Sequence, residues 1–132
     1  MRVIIREISN SKPDVVFVGG VALSHYDPTY IPQDIDIVVK NLDGLNSFGD
    51  IIEWNTDFAG SISTKRAYIK RDDFNIDIFI EDELPKYEVM DGIKYQTKES
   101  QIRHYSWVRD FVPVELKERF QQKIDLLNNV SK

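Results

Sequence analysis

At 132 residues the chain has the size of one ordinary domain, long enough to bury most of its unfolded surface, and 42% apolar with 30% charged residues excludes a disordered segment. The absence of cysteine excludes disulfides and thiolate metal sites, and two histidines without close spacing make no zinc site, so oxygen must hold any metal. A formal net charge of -5 excludes general electrostatic binding of nucleic acid, yet it suits a nucleotide bound through a divalent cation.

Residues 2–9 carry apolar side chains at helical spacing, ended by Asn10-Ser11-Lys12-Pro13, and predict a leading helix. Residues 14–18 form a β-branched and aromatic run that stops at Gly19-Gly20, as a strand buried on both faces would. A short helix over 21–26 follows, then a turn-rich loop holding Pro28 and Pro32, then a second strand over 34–39. Residues 40–50 read as a loop around one helical turn. Runs at 50–54, 62–70 and 75–80 read as extended, and Asp91-Gly92 marks a two-residue hairpin turn within 87–95.

Thr97-Lys98-Glu99-Ser100 resembles a capping box and opens a helix to about Arg109, with Pro113 placed to start another. In that last helix Leu116, Phe120, Ile124 and Leu127 form one stripe, expected to pack on the sheet. The order predicts a single α+β domain over residues 1–132, with helices gathered against a mixed sheet. The N-terminus is too short and interrupted for a signal peptide, and no stretch approaches the ~20 apolar residues of a membrane span, so a cytoplasmic location is expected.

The chemistry centres on three aspartates. On a strand, residues two apart lie ~7 Å apart on one face, so Asp34 and Asp36 would aim two carboxylates at one spot. Anions so placed repel, and a cation reverses the penalty; the competing reading is one wet sheet face. Asp77 tilts the balance, because the strand Ile76-Asp77-Ile78-Phe79-Ile80 is apolar enough to be central, where a carboxylate without a partner is costly. Gly19-Gly20 ends the first strand at a helix start, where backbone can approach a phosphate and free N–H groups favour an anion; a tight turn without ligand is the plainer alternative. Gly20→Val is accordingly expected to harm nucleotide affinity more than folding.

Together, Phe17-Val18-Gly19-Gly20-Val21-Ala22-Leu23, Gln33-Asp34-Ile35-Asp36-Ile37-Val38-Val39 and Ile76-Asp77-Ile78 resemble the polymerase-β-like nucleotidyltransferase superfamily. The Gly-Gly-x-Ala-Leu form before Asp-Ile-Asp is most similar to its AbiEii-like branch of minimal nucleotidyltransferases, known from prokaryotic and phage toxin–antitoxin systems. The resemblance implies a nucleotidyltransferase fold, with Asp34, Asp36 and Asp77 as catalytic metal ligands for Mg2+ or Mn2+ and Gly19-Gly20 as the triphosphate turn. It also implies transfer of a nucleoside monophosphate from an NTP such as ATP to a protein, tRNA or small-molecule acceptor. Thirteen residues separate Gly20 from Asp34, at the long end of the usual spacing, and Arg119, Lys123 and Asp125 match in part the basic helix that the branch often carries.

The first 80 residues offer few cations near these motifs: Arg2 and Arg6 belong to the leading helix, and Lys65, Arg66, Lys70 and Arg71 flank a strand whose ends are placed away from the glycine turn. Lys98, Arg103, Arg109, Lys117, Arg119 and Lys123 on the terminal helices are therefore the candidates for neutralising phosphate, against the alternative of a solvated helix face. His25 could reach the phosphates or serve as a surface residue, and Trp54, Tyr105 and Trp107 could stack on a base or fill the core. A non-catalytic binding or antitoxin-like regulatory protein on the same fold is the second functional reading.

Overall fold

The computed structural model describes residues 1–58 and 62–130, without the side chains of 54–64, so the base-stacking candidate Trp54 lies outside the described residues. Those residues form four α-helices and a seven-stranded mixed sheet in the order β3-β4-β5-β2-β1-β7-β6. The elements are α1 (Arg2–Ser11), β1 (Val16–Val18), α2 (Gly19–Tyr26), β2 (Ile35–Val39), β3 (Ile51–Phe58), β4 (Ile62–Lys70), β5 (Asn75–Ile80), β6 (Tyr87–Met90), β7 (Ile93–Gln96), α3 (Lys98–Phe111) and α4 (Val114–Asn128). The expected α+β class holds.

Alternation along the central strands sorts the side chains. Ile35, Ile37 and Val39 of β2, Ile76 and Ile78 of β5, Ala67 and Ile69 of β4 and Phe17 of β1 share one core cluster, packed with Ile8 of α1, Val21 of α2 and the loop residues Leu45 and Phe48. Most of these are wholly buried, and at about 25 cal/mol per Å2 of apolar surface this layer dominates the stability of the fold. The helical turn expected within 40–50 is a 3-10 turn, Asn46–Phe48, which carries Phe48 into that layer. Lys12 at the end of α1 is buried too, its ammonium donating to Asn41 Oδ1 and to the Asp43 carbonyl at 2.8 Å each.

The hairpin turn has Asp91 at φ 53° and Gly92 at φ 80°, the paired left-handed residues of a type I′ turn. Thr97 caps α3, its hydroxyl accepting from the Ser100 N–H at 3.2 Å. α4 departs from expectation. Its stripe does not pack on the sheet: Ile124, Leu127 and Phe120 join Leu23 of α2 and Tyr105 of α3 in a second cluster, and Leu116 remains 39% exposed. The sheet's inner face is already covered by α1, α2 and the 42–48 loop, and its other face carries the aspartates, which leaves α2 and α3 as apolar partners.

Candidate active site

β2 and β5 run parallel in a register that sets Asp36 directly opposite Asp77, so both carboxylates leave the same face of the sheet. They are close enough for a hydrogen bond between them. Asp34 lies one residue before β2, and its Oδ1 accepts from the Asn75 N–H at 2.8 Å, fixing the start of β5. It still faces the pair electrostatically, raising the proton affinity of both. Among the described residues, no group of three carboxylates or imidazoles stands pre-assembled around a cation position. The structure therefore pairs Asp36 with Asp77 and sets Asp34 beside them.

The glycine turn closes on this pair from β1, whose Val18 is opposite Asp36. Gly19 has φ +58°, and a Cβ there would stand 2.0 Å from Asp36 Oδ2, so only glycine lets the carboxyl sit against the backbone at the first residue of α2. Gly20 differs: a Cβ at that position would meet Pro32 Cβ at 3.1 Å and Tyr30 Cε2 at 3.4 Å. Gly20 serves the packing of the loop over the turn, so Gly20→Val would strain that packing as well as any ligand.

Burial first, then the neighbouring Asp77 charge, pushes the Asp36 carboxyl up to about 7. The Asp77 carboxyl is raised too, chiefly by burial, while its hydrogen bond with Asp36 pulls the other way. Both carboxyls are therefore held toward the protonated form, and the pair as a whole retains a proton. Since the folded chain holds this proton more tightly than an unfolded Asp at about 3.9, the stabilising contribution is complete below that value and is lost as pH rises toward 7. Metal-free protein is expected to lose melting temperature over that window, and Mg2+ to restore more of it at pH 7.5 than at pH 5. Melts in EDTA and in Mg2+ across pH check this; equal Mg2+ effects at both pH values would contradict it.

Among the described residues, two cations reach the pair. Lys123 of α4 is half-buried and stabilises the Asp36 carboxylate, while burial lowers its own proton affinity. Arg66 of β4 acts on both Asp77 and Asp36 and lies over the Phe79 ring at 4.3 Å. Arg66 was placed away from the site by the sequence; the register corrects this, because Tyr68 is opposite Asp77 and Arg66 follows on the same face two residues along. Period-two spacing relates Arg66 to Tyr68, but only the adjacency of β4 and β5 brings them to Asp77.

Of the other basic candidates, Lys98 at the start of α3 is half-buried, and the rest are engaged elsewhere or exposed. Lys117 donates to the Arg109 carbonyl at 2.8 Å and Arg109 to Gln121 Oε1, which join α3 to α4. Arg103 and Arg119 are exposed. His25 stacks on Tyr95 with ring centroids 4.2 Å apart and shares a 2.9 Å hydrogen bond with Glu88, tying α2 to the hairpin. Trp107 packs beside Phe111, and Tyr105 belongs to the cluster between α2, α3 and α4.

The donor chemistry fits a hard cation: two carboxyls held toward the protonated form sit where a divalent ion would relieve both charges, and Mg2+ commonly takes one or two carboxylates with substrate phosphates completing its shell.

No family model and no curated protein matches the sequence. Solved structures do. The Megavirus polyadenylate synthase superposes with a TM-score of 0.61 at 17% identity, over 96% of this chain and 30% of that one. JHP933 from Helicobacter pylori superposes at 0.54 with 18% identity, over 80% of this chain and 52% of that one. The fold is nucleotidyltransferase-like. At these identities the likeness concerns the fold alone, and this chain spans about a third and about half of those two chains. No helix among the described residues is long and apolar enough to cross a membrane.

Proposed function

We propose that the chain binds a nucleoside triphosphate with Mg2+ or Mn2+ and transfers its nucleoside monophosphate to an acceptor hydroxyl or phosphate, releasing pyrophosphate. The observation that carries this reading is the Asp36–Asp77 pair in register on parallel strands, set against Gly19 at the start of α2. The metal would be held by Asp36 and Asp77, with Asp34 able to contribute its second oxygen, and when bound it neutralises phosphate charge and aligns the reacting oxygens. Asp77 would help deprotonate the attacking hydroxyl. Lys123 would offset phosphate charge, and the N–H groups at the start of α2 would cradle it. Polyadenylate synthesis by the Megavirus neighbour is consistent with this class of reaction. Placement in the AbiEii-like branch rests on the Gly-Gly-x-Ala-Leu and Asp-Ile-Asp strings alone.

The engagement of Asp34 by the Asn75 N–H favours a second reading, a nucleotide-binding or antitoxin-like regulator without turnover. One experiment separates the two. Saturating Mg2+-NTP, at about 100 times Kd, is expected to add about 2.7 kcal/mol of stability, read as a raised melting temperature. The same protein incubated with labelled NTP and a cell lysate is then expected to pass label to protein, RNA or a small molecule. Stabilisation without label transfer selects the regulator, and no stabilisation by any of the four NTPs rejects both.

A further inference from the structure

Tyr105 on α3 is 5% exposed, and its hydroxyl is buried without a hydrogen-bond partner. A phenol so placed normally finds one, because burial strips away water that the hydroxyl then misses. Its cluster reaches the loop beside the glycine turn. Tyr105 packs with Leu23 of α2 and with Tyr30, and Tyr30 is the ring that a Cβ at Gly20 would meet at 3.4 Å. The Lys123 ammonium lies 5.3 Å from the Tyr105 ring centre, and the Asp36 carboxyl is within electrostatic range of both side chains. Burial, then Asp36 and Tyr30, hold the phenol far above its ordinary pKa, so it remains an O–H donor at any physiological pH.

We propose that the Tyr105 hydroxyl is a nucleotide-binding donor, left unmet in the free protein and satisfied by a phosphate oxygen that the Lys123 ammonium also contacts. The ligand class follows from the donor set. An ammonium, a phenolic O–H and the N–H groups that open α2 are all donors, and the carboxylates beside them are taken by a cation, so the complement is an oxyanion paired with a divalent metal. The inference rests on the nucleotide reading above and gives Tyr105, which the sequence offers only as a base-stacking or core aromatic, a role for its hydroxyl. It has one structural rival. Gln101, one turn earlier on α3, is fully buried with its Oε1 also unpartnered, while its Nε2 donates to the Gln96 carbonyl at 3.0 Å. A buried water joining Tyr105 to Gln101 would satisfy both oxygens without any ligand.

Calorimetric titration with Mg2+-ATP and the three other Mg2+-NTPs, on wild type, Tyr105→Phe and Asp77→Asn, distinguishes these, together with melts of the ligand-free proteins. The expected result is that Tyr105→Phe melts at or above the wild-type temperature without ligand and binds the nucleotide about 10- to 100-fold more weakly, since a hydrogen bond to a charged oxygen is lost. If wild type binds, Asp77→Asn does not, and Tyr105→Phe binds as tightly as wild type, the inference fails and the nucleotide reading stands. A Tyr105→Phe protein that melts markedly lower, or does not fold, with any residual affinity unchanged, assigns the hydroxyl to the water bridge and also overturns the inference. If wild type binds none of the four nucleotides, both readings fall together.

Discussion

Asp77→Asn is expected to abolish Mg2+-dependent nucleotide binding and any turnover while leaving the metal-free fold at least as stable as wild type. The asymmetry follows from what the carboxylate does in each state. In the free protein Asp77 is partly buried opposite Asp36, and Asp34 adds a second negative charge, so both carboxyls are raised toward the protonated form. An amide is isosteric, can take part in the hydrogen bond with Asp36, and removes one charge from a crowded face. With a divalent ion the order reverses, because a neutral amide is a poor ligand for a hard cation and a poor proton acceptor. Loss of an outer-shell partner costs roughly 10- to 100-fold in metal affinity, and loss of a direct ligand should cost more. Circular dichroism melts with and without Mg2+, combined with nucleotide titration, check both halves. Nucleotide affinity within threefold of wild type would remove Asp77 from the site and, with it, the metal-centred reading of the pair.

Which residues are buried was readable from the chain; what they are buried against was less so. β4 and β5 have the bounds expected of the extended runs at 62–70 and 75–80, the second marked by isoleucines alternating with Asn75 and Asp77. The aspartates' shared face followed from alternation, and the parallel β2–β5 register sets Asp36 against Asp77. Asp34 fell one residue outside its expected strand, since its carboxylate is engaged by the Asn75 N–H. α2 begins at Gly19, two residues earlier than its apolar pattern, because the glycines themselves make the first turn. The stripe on α4 was correct as a stripe but met α2 and α3 instead of the sheet, as hydrophobic period encodes a face and no address. Arg66 shows the same limit from the polar side: a cation 11 residues before Asp77 in the chain becomes its neighbour only through strand order.

Substitution at the two glycines is expected to separate site from scaffold. Gly19→Ala should be the more damaging. At φ +58° an L side chain costs roughly 1–2 kcal/mol from the left-handed backbone alone, and the new Cβ would stand 2.0 Å from Asp36 Oδ2 and 2.8 Å from its Cγ. The carboxyl must then leave its place beside Asp77, or β1 and β2 must separate, and the register of Val18 with Asp36 opposes the second course. A total loss of about 2–4 kcal/mol is expected, counting the displaced buried carboxyl, along with loss of Mg2+-nucleotide binding. Gly20→Ala meets Pro32 Cβ at 3.1 Å, in a loop that can give by a few tenths of an ångström, and Gly20 has no left-handed backbone to strain. Its cost is expected below about 1 kcal/mol, because alanine also restricts the unfolded chain more than glycine does. Urea denaturation of both variants, with nucleotide titration of whichever remains folded, measures the order. If Gly20→Ala proves the more destabilising, or Gly19→Ala keeps nucleotide affinity, then Asp36 does not depend on the glycine backbone for its position, and the coupling of the turn to the carboxylate pair is wrong.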